Sequence, residues 1–152
     1  MHFSTDDVNK TDLARRALLA ALACAILLPN IAVAQDPRAS EAQKVAREWL
    51  VLADKLDGSA TWKMAGQRFQ ATIPEERWAL LLKRERESRG TLVQRAIAGT
   101  SFTTQLPSVP EPGRYGMVHF RTSFAKEPNA TEDITLEQGP DSTWRVIGYV
   151  IH

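Results

Sequence analysis

Between residues 40 and 90 apolar positions recur every three or four residues, and from Thr91 onward they recur every two. The first period belongs to helices that bury one stripe, the second to strands that bury one face. Ser40-Glu41-Ala42-Gln43 has the form of a capping box. Ala42, Val45, Ala46, Trp49, Leu50, Ala53 and Leu56 follow it as one stripe, and Asp57-Gly58 supplies the expected stop. A second helix is predicted over 59–71, with Trp62, Ala65, Gly66 and Phe69 on one side. Gly66 costs that helix about 1 kcal/mol relative to Ala, a cost that close packing against a neighbour would explain. Thr72-Ile73-Pro74-Glu75 opens a third helix, with Glu75 and Glu76 matched to its positive start. Its stripe runs through Trp78, Leu81 and Leu82, turns charged at Glu85 and Arg89, and closes at Gly90.

The strand period predicts four strands, over 92–104, 115–124, 131–137 and 143–151. Gly99 is a candidate bulge in the first, and Pro107, Pro110 and Pro112-Gly113 stiffen the connection that follows it. In the second strand Val118, Phe120 and Phe124 share one face while Tyr115, Met117, His119 and Arg121 share the other. In the third, Ile134 and Leu136 point inward with Glu132 on their parity, and Asp133, Thr135 and Glu137 point outward. Gly139-Pro140-Asp141-Ser142 makes the last turn. The last strand is apolar on both alternating faces: Trp144, Val146 and Val150 against Ile147, Tyr149 and Ile151. That pattern suits an interior strand, whereas the meander order puts it last, at an edge unless the chain returns to the middle. At an edge its second face would need cover from the first helix, the proline-rich connection or another subunit. Three N-terminal helices packed on a curved four-stranded antiparallel meander define the expected class, α+β.

The first 34 of the 152 residues read differently. Arg15-Arg16 precedes an apolar run over 17–28, and Ala32-Val33-Ala34 offers a small-x-small cleavage site. Residues 1–34 are therefore expected to be a signal peptide cleaved after Ala34, leaving 35–152 as a single domain in the periplasm or outside the cell. A spanning helix fits less well, because Pro29-Asn30 interrupts a run that barely reaches the roughly 20 residues needed. No stable membrane insertion is expected after cleavage. The arginine pair leaves the ordinary secretory and twin-arginine routes both open.

Cleavage removes three basic and three acidic side chains, so the mature chain keeps the net charge of +1. That balance excludes an electrostatic footprint for nucleic acid. Cys24, the lone cysteine, leaves with the signal. Neither a disulfide nor a reactive thiol then serves the domain, whose 118 residues are enough for a core of its own.

Few residues carry recognisable chemistry. There is no glycine-rich phosphate loop and no G-x-S-x-G elbow. No metal-ligand spacing occurs, and neither metal nor cofactor is expected. The run Lys83-Arg84-Glu85-Arg86-Glu87-Ser88-Arg89 reads as a basic helix end laced with helical pairs rather than as an anion site. Asn129-Ala130-Thr131 matches a glycosylation sequon only incidentally. Trp49, Trp62, Trp78 and Trp144 fall on apolar stripes, as core packing requires. Two places break the pattern. Unless the third strand begins after it, Glu132 points with core residues, where desolvation would raise its pKa or an arginine such as Arg95, Arg121 or Arg145 would depress it. The second is the face of Tyr115, His119 and Arg121, with Tyr149 a candidate to join it. Glu132, His119, Arg121, Tyr115, Tyr149 and Trp144 are the candidate pocket residues.

The order Ala46-x-x-Trp49-Leu50, Trp62, Phe69, Trp78, the arginine-rich helix end before Gly90, Leu106-Pro107, Pro112-Gly113-x-Tyr115, Glu132 and Trp144-Arg145-Val146-x-Gly148-Tyr149 spans nearly the whole mature domain. In that order the chain resembles the domain-of-unknown-function 4019 family of small exported bacterial proteins. The resemblance implies no established activity. The layout is also similar to the cone-shaped folds of nuclear transport factor 2, ketosteroid isomerase and cystatin, but delays its first strand until all the helices are complete. Fold likeness of that kind carries no mechanism.

Three functions remain open on the sequence. The leading one is a binding or interaction module for an envelope protein or a small ligand. The second is a small enzyme with a cone pocket, Glu132 or His119 acting as general base and Tyr115 or Tyr149 donating to an oxyanion. The third is a ligand-free structural or stress-related envelope protein, favoured if no concavity exists. A homodimer through an exposed sheet face is compatible with each.

Overall fold

A computed structural model describes residues 36–152. The expected signal peptide and its cleavage site lie outside these residues. The domain runs α1 (Pro37–Asp54), α2 (Gly58–Met64), α3 (Gln67–Thr72), α4 (Glu75–Arg89), β1 (Leu92–Thr103), β2 (Tyr115–Phe124), β3 (Ala130–Gln138) and β4 (Trp144–Ile151). The strands form one antiparallel sheet in the order β1-β2-β3-β4. The expected α+β class and meander are therefore present, with four helices in place of three. No helix among the described residues is long and apolar enough to cross a membrane.

α1 begins one turn earlier than the capping box at Ser40 suggested. The Asp36 carboxylate accepts from the Arg38 backbone N–H at 2.9 Å, and Pro37 takes the first helical position, where its missing N–H costs nothing. Gln43, freed from capping, donates to Thr100 Oγ1 on β1 at 2.9 Å. Asp57 starts the next helix rather than stopping this one, its carboxylate accepting from Ala60 N–H at 2.9 Å.

The predicted second helix is two. Ala65 and Gly66 are extended between α2 and α3, and Gly66 N–H donates to the Val146 carbonyl of β4 at 2.8 Å. A Cβ on Gly66 would stand 3.2 Å from Ile147 Cγ2 and 3.3 Å from Arg145 Cβ. Glycine is tolerated here because the chain approaches the sheet, and the approach is what interrupts the helix. It also gives the β4 edge a partner at mid-strand, which blunts further pairing there.

Beside a register shift between Leu92 and Gln94 at the start of β1, two bulges set the faces of the sheet. In β1 the register shifts between Ile97 and Gly99, at the place the glycine suggested. In β4 Thr135 pairs with Gly148 while Leu136 pairs with Val146, so Ile147 is the extra residue. Strict alternation therefore fails beyond Val146. Tyr149, opposite the fully buried Ile134, joins Trp144 and Val146 on the core face, and Val150 turns out to be half exposed. The two apolar faces read from sequence are largely one face whose parity changes at a bulge. β4 lies at the edge of the sheet, not in its interior.

The helices cover the face that carries Val118, Phe120, Ile134, Leu136 and Val146, against which Trp49, Leu50, Trp78 and Leu82 are buried. The three helical tryptophans are satisfied internally. Trp49 Nε1 donates to the Thr61 carbonyl at 2.9 Å, Trp78 Nε1 to Thr61 Oγ1 at 2.9 Å and Trp62 Nε1 to the Ile73 carbonyl at 2.8 Å. Paired donors with rings buried by neighbours are what core packing requires of tryptophan.

Candidate functional site

Glu132 shares the inward parity of Ile134 and is fully buried. An isolated carboxylate there would be prohibitive, and the fold surrounds it with donors. Arg86 Nη1 lies 2.8 Å from Oε1. Arg95 donates from Nε to Oε2 at 2.5 Å and from Nη2 to Oε1 at 3.2 Å. The Thr122 hydroxyl donates to Oε2 and the Tyr149 hydroxyl to Oε1, each at 2.6 Å. Both arginines also hold Asp54: Arg95 through two bonds of 2.8 Å, Arg86 through Nη2. The result is a neutral ring of two guanidinium groups and two carboxylates. The Arg86 guanidinium additionally sits 4.8 Å over the Phe124 ring.

Burial pushes the Glu132 carboxyl up. The hydrogen bond and charge of Arg95, with the hydroxyls of Thr122 and Tyr149, outweigh that and hold it below the usual carboxylate range. Burial first, and then the Glu132 charge, push the Tyr149 phenol well above its ordinary value. Tyr149 also packs edge-on to Trp49, centroids 5.1 Å apart, so the ring abuts the aromatic core directly.

The six residues singled out from sequence are divided among three places. Glu132 and Tyr149 meet in the ring. His119 and Arg121 lie on the opposite face of the sheet, where His119 Nδ1 is 2.7 Å from Asp133 Oδ1, and His152 Nε2 is 3.2 Å from Oδ2 of the same carboxylate. Arg121 borders a shallow outer groove of about 470 Å³ with Gln94, Ala96 and Asn129. Tyr115 and Trp144 belong to the far end of the sheet. The buried Tyr115 hydroxyl donates to the Glu111 carbonyl at 3.0 Å, which ties the proline-rich connection down. Tyr149 thus sides with Glu132 rather than with His119, because the β4 bulge turns it inward.

Of the arginines weighed as partners for Glu132, Arg95 is one, whereas Arg145 pairs with Asp141 at 2.6 Å. Arg86 and Asp54 were missed. The signal was present: Trp78, Leu82 and Arg86 are spaced by four, as are Leu50 and Asp54, so each charge extends an apolar stripe. In Arg86 the surrounding charge run hid it.

Two further concavities border these elements. One, of about 400 Å³, has Asp54 and Arg86 on its wall beside Leu56, Leu92 and Lys126. The other, of about 440 Å³, lies where the start of α1 crosses the sheet end. Phe102 and Trp144, with centroids 5.7 Å apart, line it beneath Arg38 and Arg114. Among the described residues no group of three or more His, Cys, Asp or Glu side chains is arranged to hold a metal ion.

Fold and ring together define a small α+β domain whose helices are bolted to a meander sheet by buried ion pairs. A family model described as "Protein of unknown function (DUF4019)" matches residues 45–149, and the chain belongs to that family. No curated protein matches it. Among solved structures, ActVI-ORFA from Streptomyces coelicolor is similar at 12% identity and a TM-score of 0.46, covering 74% of this chain and 94% of that one. A protein from Catenulispora acidiphila is similar at 12% identity and a TM-score of 0.43, covering 74% of this chain and 88% of that one. Likeness at that level carries no functional inference.

Proposed function

We propose that the chain is an exported binding module, working in the periplasm or outside the cell, which receives a small ligand in the groove between the start of α1 and the Phe102–Trp144 end of the sheet. The observation that carries this reading is the groove itself: an aromatic lining with polar and cationic side chains at its rim, about 440 Å³ in volume and within the range of small-ligand sites. The other conspicuous chemistry is occupied. Both oxygens of Glu132 are filled by donors from four side chains, which leaves a fully buried carboxylate with no room to accept a substrate proton. The ring therefore fastens the helices to the sheet rather than supplying a reagent.

Binding is tested on the purified protein with a library of small apolar and amphipathic ligands, read as thermal shift and confirmed by chemical-shift changes. Hits whose perturbations map to Phe102, Trp144 and Arg114 are expected. Hits mapping elsewhere, or none across the library, would remove the proposal. Export is tested by fractionating cells that express the full chain with a C-terminal tag. Processed protein in the periplasm or medium is expected, and unprocessed protein confined to the cytoplasm would contradict it.

A further inference from the structure

The surplus charge of this groove points to the class of ligand. Phe102 and Trp144 both lie against Gly116, where a Cβ would come 3.2 Å from Phe102 Cε1 and 3.4 Å from Trp144 Cζ3. The missing side chain lets the two rings settle close to the sheet, tilted 42° to one another. Trp144 is buried, whereas Phe102 keeps part of its surface open to the groove. An apolar, flat group is what such a lining takes from water.

Two guanidinium groups border it, Arg38 over the Phe102 ring and Arg114 on the groove wall. Arg38 lies 4.8 Å from the Phe102 centroid and is held by Asp36, at 2.6 Å from Nη2 to Oδ2 and 3.0 Å from Nε to the same oxygen. Its charge is matched. Arg114 is exposed, and its one described side-chain bond goes to the Gly139 carbonyl at 3.2 Å. No carboxylate among the described residues stands within ion-pair distance of Arg114. Two positive charges and one negative leave the groove a surplus of one positive charge.

We propose that the groove binds a small planar monoanion, an aromatic carboxylate, with its ring in the Phe102–Trp144 lining and its carboxylate on Arg114; this rests on the binding-module reading above. A guanidinium fork matches a carboxylate through two parallel bonds. Because Arg114 faces water, its pull on an anion is modest and screened by salt. The aromatic lining supplies the affinity, and Arg114 selects the charge.

Titration calorimetry at low ionic strength with 2-naphthoate, and with uncharged 2-naphthamide as its isostere, separates the two contributions. Naphthoate is expected to bind about tenfold more tightly than naphthamide, as a charge-assisted bidentate contact allows, and to weaken as salt is raised. Arg114→Ala, at an exposed position that leaves the core intact, is expected to erase that preference by weakening naphthoate far more than naphthamide. Phe102→Leu, a milder change than truncation, is expected to weaken both ligands. Equal binding of the two compounds, or an Arg114→Ala protein that still prefers naphthoate, overturns the anion assignment and leaves the groove as a binding site. Binding of neither compound to a protein of native circular dichroism overturns the ligand class, and the library experiment then decides the groove itself.

Discussion

Desolvating a carboxylate as deeply as Glu132 costs several kcal/mol, and the ring offsets that cost only while every partner is present. Glu132→Gln keeps the shape but leaves Arg86 and Arg95 facing Asp54 alone, with one buried positive charge in excess. Urea denaturation is expected to show a loss of about 3–5 kcal/mol, the usual consequence of breaking a buried pair from one side. A loss under about 1 kcal/mol would mean that water already compensates the ring. Tyr149→Phe removes one donor to Glu132 and one acceptor for Arg86 without emptying space. About 1.5–3 kcal/mol is the expected loss in the same assay, the range for hydrogen bonds to charged groups. At this scale the sequence disclosed half of the ring. Glu132 stood out because a charge on a buried parity is anomalous, and Arg95 was one of three arginines weighed as its partner, beside Arg121 and Arg145. Arg86 sat in a helix end where arginine is ordinary, so only its four-residue spacing from Leu82 distinguished it.

Among the helices, close approach matters more than propensity. Gly58, the first residue of α2, packs on α4 so tightly that a Cβ would fall 2.5 Å from Ala79 Cα. The obstructing atom is backbone, so a helix must move. Gly58→Ala is expected to cost about 1–3 kcal/mol by the overpacking it forces, read as a lower thermal midpoint. Gly99→Ala makes the control, since nothing lies within 4 Å of the Cβ it would add. Its stability should stay within about 0.5 kcal/mol of the parent, as for an ordinary surface change. The same logic explains which boundaries could be read in advance. Helix periods and glycine or proline punctuation are local, and they placed α4 and the four strands closely. The break at Ala65-Gly66 answers to Val146, eighty positions away, and the flip at Ile147 answers to pairing with β3. A one-dimensional pattern holds neither partner.

The ring draws one residue from each long helix and one from every strand: Asp54 and Arg86, then Arg95, Thr122, Glu132 and Tyr149. The meander order was legible because consecutive strands tend to pair as neighbours, but that a single charge cluster would join all its layers was not, since no element carries more than one member. Such a junction makes the response to acid a property of the whole domain. Glu132 has a folded pKa below its ordinary 4.5, so as pH falls the unfolded chain takes up this proton first. Its contribution to stability is therefore complete above about pH 4.5 and is lost as pH drops through the folded value. Exposed carboxylates with lowered pKa, Glu85 and Asp141 among them, shift in the same direction, and comparison with Glu132→Gln isolates the buried one. The parent should lose stability more steeply than the variant below pH 4.5, so that the gap between their urea midpoints narrows with acidification. Helical and aromatic circular dichroism should fall together, because protonating one carboxylate loosens α4 and all four strands at once. Loss of the aromatic signal at a pH where the helical signal persists would show instead that the helices hold without the ring.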